Sequence, residues 1–478
     1  MNCIEIFTQN VRNNPEALAL WIPGQPKQKE TSFAELLDLS TRAQSLFHTH
    51  GLKPGDSVLL MAPLSPHLYA SITALLSVGA IIILVEPWMS VAEIQKVIAN
   101  ARPKLFISSV LGFLWGAKVK AIRQIPHWIQ VTSIYRSPPQ GKLHLESLDA
   151  STTGILTFTS GTTGKPKGVV RNQGYMIQQH EILTKSFENA HLKGPDLCIF
   201  ANFAISNLAA GRGSIIIPPS WSKKAIQAVD ALPAEKQPES LATGPAFLIE
   251  LMKHAQLPQL KSIHVGGALT DCWIFEKGME KWPEAHWAHV YGGSEVEPVA
   301  LADARQAVHE SRKRNYFQTL YLGKEVPEIQ AQPQTDGLWV AGPHVCPEYF
   351  GNAEENRLFK KKDDHGTLWH FMGDRVGIDP SGWWFQGRAG QAVENFDLEQ
   401  KIYFELQSSK SFIRAQGTDL YLIGEGLSAR RRELLLNFPE LKDVVETKIY
   451  RDRRHRARID RHRTISKGPR WLARKLAP

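Results

Sequence analysis

Glycines, hydroxyls and lysines crowd one short segment of this 478-residue chain: Ser160, Gly161, Thr162, Thr163, Gly164 and Lys165, then Pro166, Lys167 and Gly168. A glycine-rich backbone can turn its N–H groups onto an anion, and Ser or Thr hydroxyls add donors without bulk. The two lysines bring positive charge to the same place. A polyphosphate is the guest such a loop suits. Lys165 is the expected phosphate cation, while Lys167 either adds to the field or is an exposed loop lysine.

The segment is not a P-loop. The pattern G-x-x-x-x-G-K-[ST] would need a glycine where Thr159 stands and a hydroxyl where Pro166 stands. Pro166 biases Lys165 toward extended geometry. Apolar, β-branched runs lie on both sides, Ile155 to Thr159 and Val169-Val170. A strand–loop–strand hairpin closing over phosphates is therefore expected, not a loop opening into a helix.

Three further motifs follow: Tyr291-Gly-Gly-Ser-Glu295, Trp369-His-Phe-Met-Gly-Asp374 and Gly387-Arg388. Together with the loop, and in the same order and spacing from about residue 10 to residue 390, they resemble the adenylate-forming acyl ligase superfamily. The resemblance implies an α/β architecture. Residues 1–387 would form a large multi-subdomain adenylation domain with doubly wound sheets and a β-rich subdomain. Residues 388–478 would form a small, mobile α+β domain. It also implies an enzyme that uses ATP and Mg2+ to convert a carboxylic acid, a fatty acid, to acyl-AMP with release of pyrophosphate. A thiol such as coenzyme A or an acyl carrier would then take the acyl group.

Roles carry over position by position. Ser160, Gly161, Thr162, Thr163, Gly164 and Lys165 would clamp the β- and γ-phosphates, with Lys167 nearby. Glu295 would hold magnesium, which favours hard carboxylate oxygens and takes few of them from protein; Glu297 is its neighbouring competitor. Ser294 would bond the α-phosphate. Tyr291 and Gly292 would meet adenine, with Gly267 and Ala268 along its edge, although a tyrosine at a strand end is also ordinary core. Asp374 would accept from both ribose hydroxyls, for which paired carboxylate acceptors are suited, and Arg388 would donate to the same sugar. An aspartate after Gly373 is equally a turn residue.

Two positions depart from the family pattern. Ala204 stands where relatives usually carry a histidine near the acyl entrance. In the tail, Arg458 occupies the place of the lysine that bridges the acyl carboxylate and the α-phosphate, with Lys467 as a second candidate. Arginine keeps the charge but as a rigid planar fork. A degenerate nucleotide- or acyl-AMP-binding module is the rival reading this substitution raises. The segments 60–63, 347–351 and 369–388 are most similar to the β-lactone synthetases of olefin biosynthesis. In those enzymes the β-hydroxyl of the substrate attacks its own acyl phosphate.

Positioning these residues requires a scaffold whose rhythm is visible. Thr31-Ser32 can cap a helix carrying Phe33, Leu36, Leu37, Leu46 and Phe47, with Gly51 after its end. Strands are expected at 57–62, 81–85 and 105–108, and a helix at 91–101. This βαβα order implies a mostly parallel sheet. Residues 118–150 look irregular. Helices at 173–188 and 245–254 and strands at 214–218, 261–267 and 289–292 follow. From 322 to 388 the pattern turns β-rich, with strands at 338–341 and 382–386. The apolar run 70–85 is short for a membrane span, which needs about 20 residues, and Gly79 splits it into a helix and a buried strand.

Composition narrows the class. Cys3, Cys198, Cys272 and Cys346 show no paired spacing, which argues against a disulfide framework or zinc site and suits a reducing cytosol. The first residues lack the order of a signal peptide, so a cytoplasmic location is expected. Residues 451–478 hold eleven Lys or Arg against two Asp, the whole formal excess of +9. Such a tail can be a solvated basic face, or can meet an anionic membrane surface, an acidic carrier or the phosphates of coenzyme A. Its one aromatic residue, Trp471, gives no stacking platform, so nucleic acid is not an expected partner.

Overall fold

Ser32 shows how locally the chain specifies its elements. In a computed structural model, which describes residues 2–23, 30–85, 89–139, 141–159, 167–452 and 457–469, the Ser32 side chain accepts from the Glu35 N–H. The Glu35 carboxylate accepts from the Ser32 N–H in return. This reciprocal cap starts helix Phe33–Thr49, which buries Phe33, Leu36, Leu39 and Phe47. Gly51, at φ +67, turns the chain just beyond it. Apolar run 70–85 divides as its composition suggests: helix Pro66–Ser77, a turn at Gly79 with φ +72, then strand Ile81–Leu84. Among the described residues no helix is long and apolar enough to cross a membrane.

Two large sheets carry the N-terminal body. One has six strands in the order His127–Gln130, Leu105–Ser108, Ser57–Met61, Ile81–Leu84, Thr153–Thr159, Lys167–Asn172. The first five run parallel and the last is antiparallel. Alternate residues of one strand enter different cores. Val58, Leu60, Ile82 and Ile155 join one cluster, and Leu59, Ile83, Phe106 and Leu156 another. Both faces are therefore covered, as a doubly wound sheet requires. The other sheet has eleven strands. Six parallel ones run from Leu18–Trp21 to His286–Gly293, and Val296–Asp303, Tyr321–Glu325, Gly382–Arg388 and Asp374–Asp379 continue it antiparallel.

The β-rich region adds a four-stranded antiparallel sheet built on Gly337–Ala341 and Leu368–Phe371. After Arg388 a smaller unit follows. Its sheet of Ser411–Gln416, Asp419–Gly424 and Leu441–Glu446 packs with helices Val393–Leu406 and Arg431–Asn437 around Ile402, Leu422 and Leu434.

One stretch departs from expectation. Residues 118–150 are not irregular throughout: helix Lys120–Arg123 and strand His127–Gln130 lie inside them. The strand was hidden because it is an edge of four residues with Ile129 its one buried side chain, so it has no apolar run to announce it.

Candidate active site

The phosphate hairpin is bounded as its sequence predicts. Thr153–Thr159 and Lys167–Asn172 pair antiparallel, with Thr159 opposite Lys167 at the mouth. Ser160, Gly161, Thr162, Thr163, Gly164 and Lys165 lie outside the described residues. Lys167 calls for a correction. It is neither an exposed loop lysine nor a cation turned to a phosphate: its amine is buried, 2.5 Å from Glu355 and 3.4 Å from the centroid of the Phe359 ring. A buried ammonium requires such a partner, and Glu355 lies on helix Ala353–Phe359, far away in sequence.

Arg171, four residues on, ties the hairpin to the next motif. Its guanidinium donates to Thr157 Oγ1 (3.2 Å), Tyr175 Oη (3.1 Å), Gln179 Oε1 (3.0 Å) and the Ser294 carbonyl (3.0 Å). The motif itself leaves strand His286–Gly293, which runs parallel to Ser262–Gly266 with Val290 opposite Gly266. Gly267 and Ala268 therefore emerge beside Tyr291 and Gly292, at the carboxyl ends of neighbouring strands where such sheets place ligands. Gly267 has φ +80, and a Cβ on Gly266 would meet the Val290 carbonyl at 2.7 Å, so the pair of strand ends can approach this closely because of its glycines.

Asp374 arrives by register. It begins strand Asp374–Asp379 and pairs directly with Arg388 on Gly382–Arg388, with the two side chains 2.7 Å apart. The Tyr291 hydroxyl donates to its other oxygen at 2.9 Å. Burial and the Asp374 carboxylate push the Tyr291 phenol well above its ordinary pKa, so it stays a donor. A carboxylate has about four acceptor positions, so these two partners orient Asp374 without exhausting it. Glu295 is oriented likewise: Tyr349 donates to its Oε1 at 2.9 Å, and Oε2 lies toward Gly293. Tyr349 is itself held by a bridge to Val169 on the phosphate hairpin.

A cavity of about 520 Å³ is lined by Gly267, Ala268, Tyr291, Gly292, Asp374 and Arg388 from the body. Arg451, Arg458 and Arg461 from the C-terminal unit line it too. Arg458 Nε and Nη2 both donate to the Gly267 carbonyl, at 3.1 and 2.8 Å. Further contacts hold the unit there: Ser409 Oγ donates to Asp271 (2.9 Å) and Gln400 to Gln318 (3.2 Å). Burial pushes the Asp271 carboxyl above its usual range, against the hydrogen bonds it accepts from Ser409 and from Gln318 Nε2 (3.2 Å). Lys467, the second candidate cation, ends helix Arg461–Lys467 and is exposed. A second, apolar cavity of about 90 Å³ adjoins Arg171 and Gln179, between Phe7, Tyr69, Met176, Leu183 and Phe203. Ala204, on helix Ala201–Ala209, is fully buried beside it.

The chain matches the AMP-binding enzyme family over residues 7–350. It belongs to that family. A 4-coumarate–CoA ligase-like protein of Arabidopsis thaliana is 26% identical over 68% of this chain, which spans 64% of that relative's length. Olefin β-lactone synthetases of Stenotrophomonas maltophilia and Xanthomonas campestris are each 25% identical, over 80% and 89% of this chain and 78% and 84% of theirs. Among solved structures, ATP-bound MatB from Rhodopseudomonas palustris aligns with TM-score 0.77 at 17% identity, covering 96% of this chain and 98% of that one. AMP-bound o-succinylbenzoate CoA synthetase from Bacillus subtilis aligns with TM-score 0.76 at 16% identity, covering 94% and 96%. This AMP-binding enzyme thus has the α/β adenylate-forming fold, with its larger N-terminal and smaller C-terminal parts.

The cavity suits the nucleotide such a family takes. Its volume is that of a small-molecule site, and a buried, oriented carboxylate and a glycine-lined edge meet in it. The Glu295 carboxylate is a hard oxygen donor of the kind that could hold magnesium. The motifs of this AMP-binding enzyme announced Tyr291, Asp374 and Arg388. Arg171, Tyr349 and Glu355 were missed. Arg171 did carry a signal, since it directly follows Val169-Val170 on an expected strand, and arginine is rarely buried unless paired. Tyr349 and Glu355 become relevant only through contacts made more than fifty residues away.

Proposed function

We propose that this enzyme activates a carboxylic acid, a fatty acid, as its acyl-AMP and passes the acyl group to a thiol such as coenzyme A. The observation that carries the reading is Arg458, a permanent cation brought from the C-terminal unit onto the Gly267 edge of the cavity. Two anions must meet there. A carboxylate oxygen of the acid bonds to the α-phosphorus of ATP as the bond to the pyrophosphate oxygen breaks, and pyrophosphate leaves with that electron pair. Charge accumulates at the α-phosphate, and a fixed cation there favours the transition state.

Asp374 and Arg388 hold the ribose, Tyr291, Gly292, Gly267 and Ala268 flank adenine, and Ser294 meets the α-phosphate. Ser160, Gly161, Thr162, Thr163, Gly164 and Lys165 would bind the outer phosphates, and Glu295 would hold the magnesium that offsets their charge. Lys167 acts at one remove, fixing the base of that hairpin through Glu355. The apolar cavity behind Arg171 supports an aliphatic acid. Residues 1–387 and 388–478 act as two domains about the Arg388–Gly390 turn, and the enzyme works in the cytoplasm. A second reading has the 3-hydroxyl of a β-hydroxy acid attack the acyl carbon of its own adenylate, losing its proton and closing a β-lactone as the bond to the phosphate oxygen breaks and AMP leaves; the match to the Xanthomonas relative over 89% of this chain favours it.

Acid-dependent exchange of labelled pyrophosphate into ATP tests the first half-reaction, over straight-chain, 3-hydroxy and aromatic acids of several lengths. Exchange with aliphatic acids and thioester on adding coenzyme A are expected. Lactone formed without coenzyme A selects the second reading, and no exchange with any acid leaves a nucleotide-binding module without catalysis.

A further inference from the structure

The neutral body outside the tail conceals a strongly one-signed stretch. Between Glu93 and Glu146 there are eight Lys or Arg and no Asp or Glu. The same stretch holds three exposed aliphatic side chains: Val110, Leu111 and Leu114 are 54%, 78% and 62% exposed. All three lie on helix Val110–Gly116.

The orientation of that helix is fixed by its glycines. A Cβ on Gly112 would meet Ser108 Oγ at 1.9 Å, and one on Gly116 would meet Phe106 at 2.9 Å and Ile122 at 3.0 Å. Gly112 and Gly116, four apart, therefore press against the protein. Phe113 packs on Phe106 and Trp128, with ring centroids 5.7 and 5.3 Å away. Positions 110, 111 and 114 are left pointing outward. The chain continues without a break through turns closed by Lys118 N to the Trp115 carbonyl and Arg123 N to the Val119 carbonyl. Those turns expose Lys118, Lys120 and Arg123, all within nine residues of Leu114.

We propose that this face docks on an anionic phospholipid membrane, with Val110, Leu111 and Leu114 entering the headgroup boundary and Lys118, Lys120 and Arg123 meeting lipid phosphates. The charge argues for that occupant. A second copy would bring one basic face against another, and bare aliphatic tips have nothing to stack on in a nucleic acid. Apolar insertion and basic charge reinforce each other at a lipid interface, and each lysine near an anionic surface contributes about a fivefold factor in binding. The inference rests on surface chemistry and not on the acid the active site takes.

Co-flotation of the full chain with phosphatidylcholine vesicles, with and without phosphatidylserine, tests it. Binding to the anionic vesicles is expected, weakening as salt rises. Leu111→Asp/Leu114→Asp should weaken it by about tenfold or more, and Lys118→Glu/Lys120→Glu by at least about fivefold per lysine. Both variants should keep wild-type circular dichroism and pyrophosphate exchange. A polarity-sensitive dye on Leu111→Cys should shift to the blue with anionic vesicles, which reports insertion without relying on a loss. Wild-type binding by the leucine double variant overturns the proposal, as does an unmoved dye. It also fails if binding is lost instead on Arg470→Glu/Arg474→Glu/Lys475→Glu, which would assign the contact to the tail. Light scattering showing a dimer that Leu111→Asp dissolves would assign the face to a second copy.

Discussion

On the body side of the cavity, Asp374 is buried and oriented from two directions, by Tyr291 and by its cross-strand neighbour Arg388. On the opposite side Arg458 is exposed and donates twice to one backbone carbonyl, that of Gly267. The first arrangement is part of a sheet and cannot be lost without breaking strand register. The second joins two separately folded parts through a charged side chain that water can replace, and domain contacts of this polar kind permit motion. On the proposed function, the contrast assigns recognition of the nucleotide to the body and delivery of charge to the C-terminal unit.

The most severe way to break that division is in the body. Glu295→Gln removes the proposed magnesium carboxylate while keeping an oxygen for Tyr349 to reach, so folding should persist. Pyrophosphate exchange should fall by more than about a thousandfold, and a normal magnesium titration would exclude the role. Next is the C-terminal side. Arg458→Ala should slow single-turnover acyl-AMP formation by about a hundred- to a thousandfold, with ATP binding little changed because the body still holds the ribose. Arg458→Lys should restore most of the rate. Equal losses of ATP binding and turnover in Arg458→Ala would show that the two sides are not separable.

A third prediction concerns the frame of the body. Burial holds His289 down to about 4, against its hydrogen bond to the Tyr321 carbonyl. The folded pKa is depressed, so between about 6.5 and 4 the unfolded chain binds a proton that the folded one does not. Stability should therefore fall as pH drops through that window, by about 3 kcal/mol from this group. Buried His264, held to about 3, acts in the same direction. Urea midpoints measured across the window should show a shallower slope for His289→Asn; an unchanged slope would remove His289 from the frame. The smallest effect belongs to Lys467, exposed at a helix end: Lys467→Ala should change acyl-AMP formation by less than about twofold. A large loss there would move the catalytic cation away from Arg458.

Some of this was legible because local physics decides it. Ser32 and Glu35 cap their helix, Gly79 splits the apolar run, and the runs around 155–159 and 167–172 pair across a loop, each from interactions within a few residues. That Gly267, Tyr291, Gly292 and Asp374 stand at strand ends around one cavity was legible in part, since glycines and a carboxylate there restrict what chemistry a position can perform. Edge strand His127–Gln130 was not, because an edge with one buried residue lacks periodicity.

What tertiary structure alone decided is which charges are already satisfied. Nothing near Lys167 in sequence indicates Glu355, and nothing near Arg171 indicates the Ser294 carbonyl. Nor does the composition of 110–123 reveal that two glycines turn its helix so that Leu111 and Leu114 face outward. The sequence by itself determined capped helices such as Phe33–Thr49, the ends of the hairpin strands and the kinds of side chain present at them, because propensity, capping and turn chemistry act over a few residues. Whether a lysine is buried against a carboxylate or left in solvent depends on desolvation and on partners supplied by distant segments. Only the packed chain brings those together.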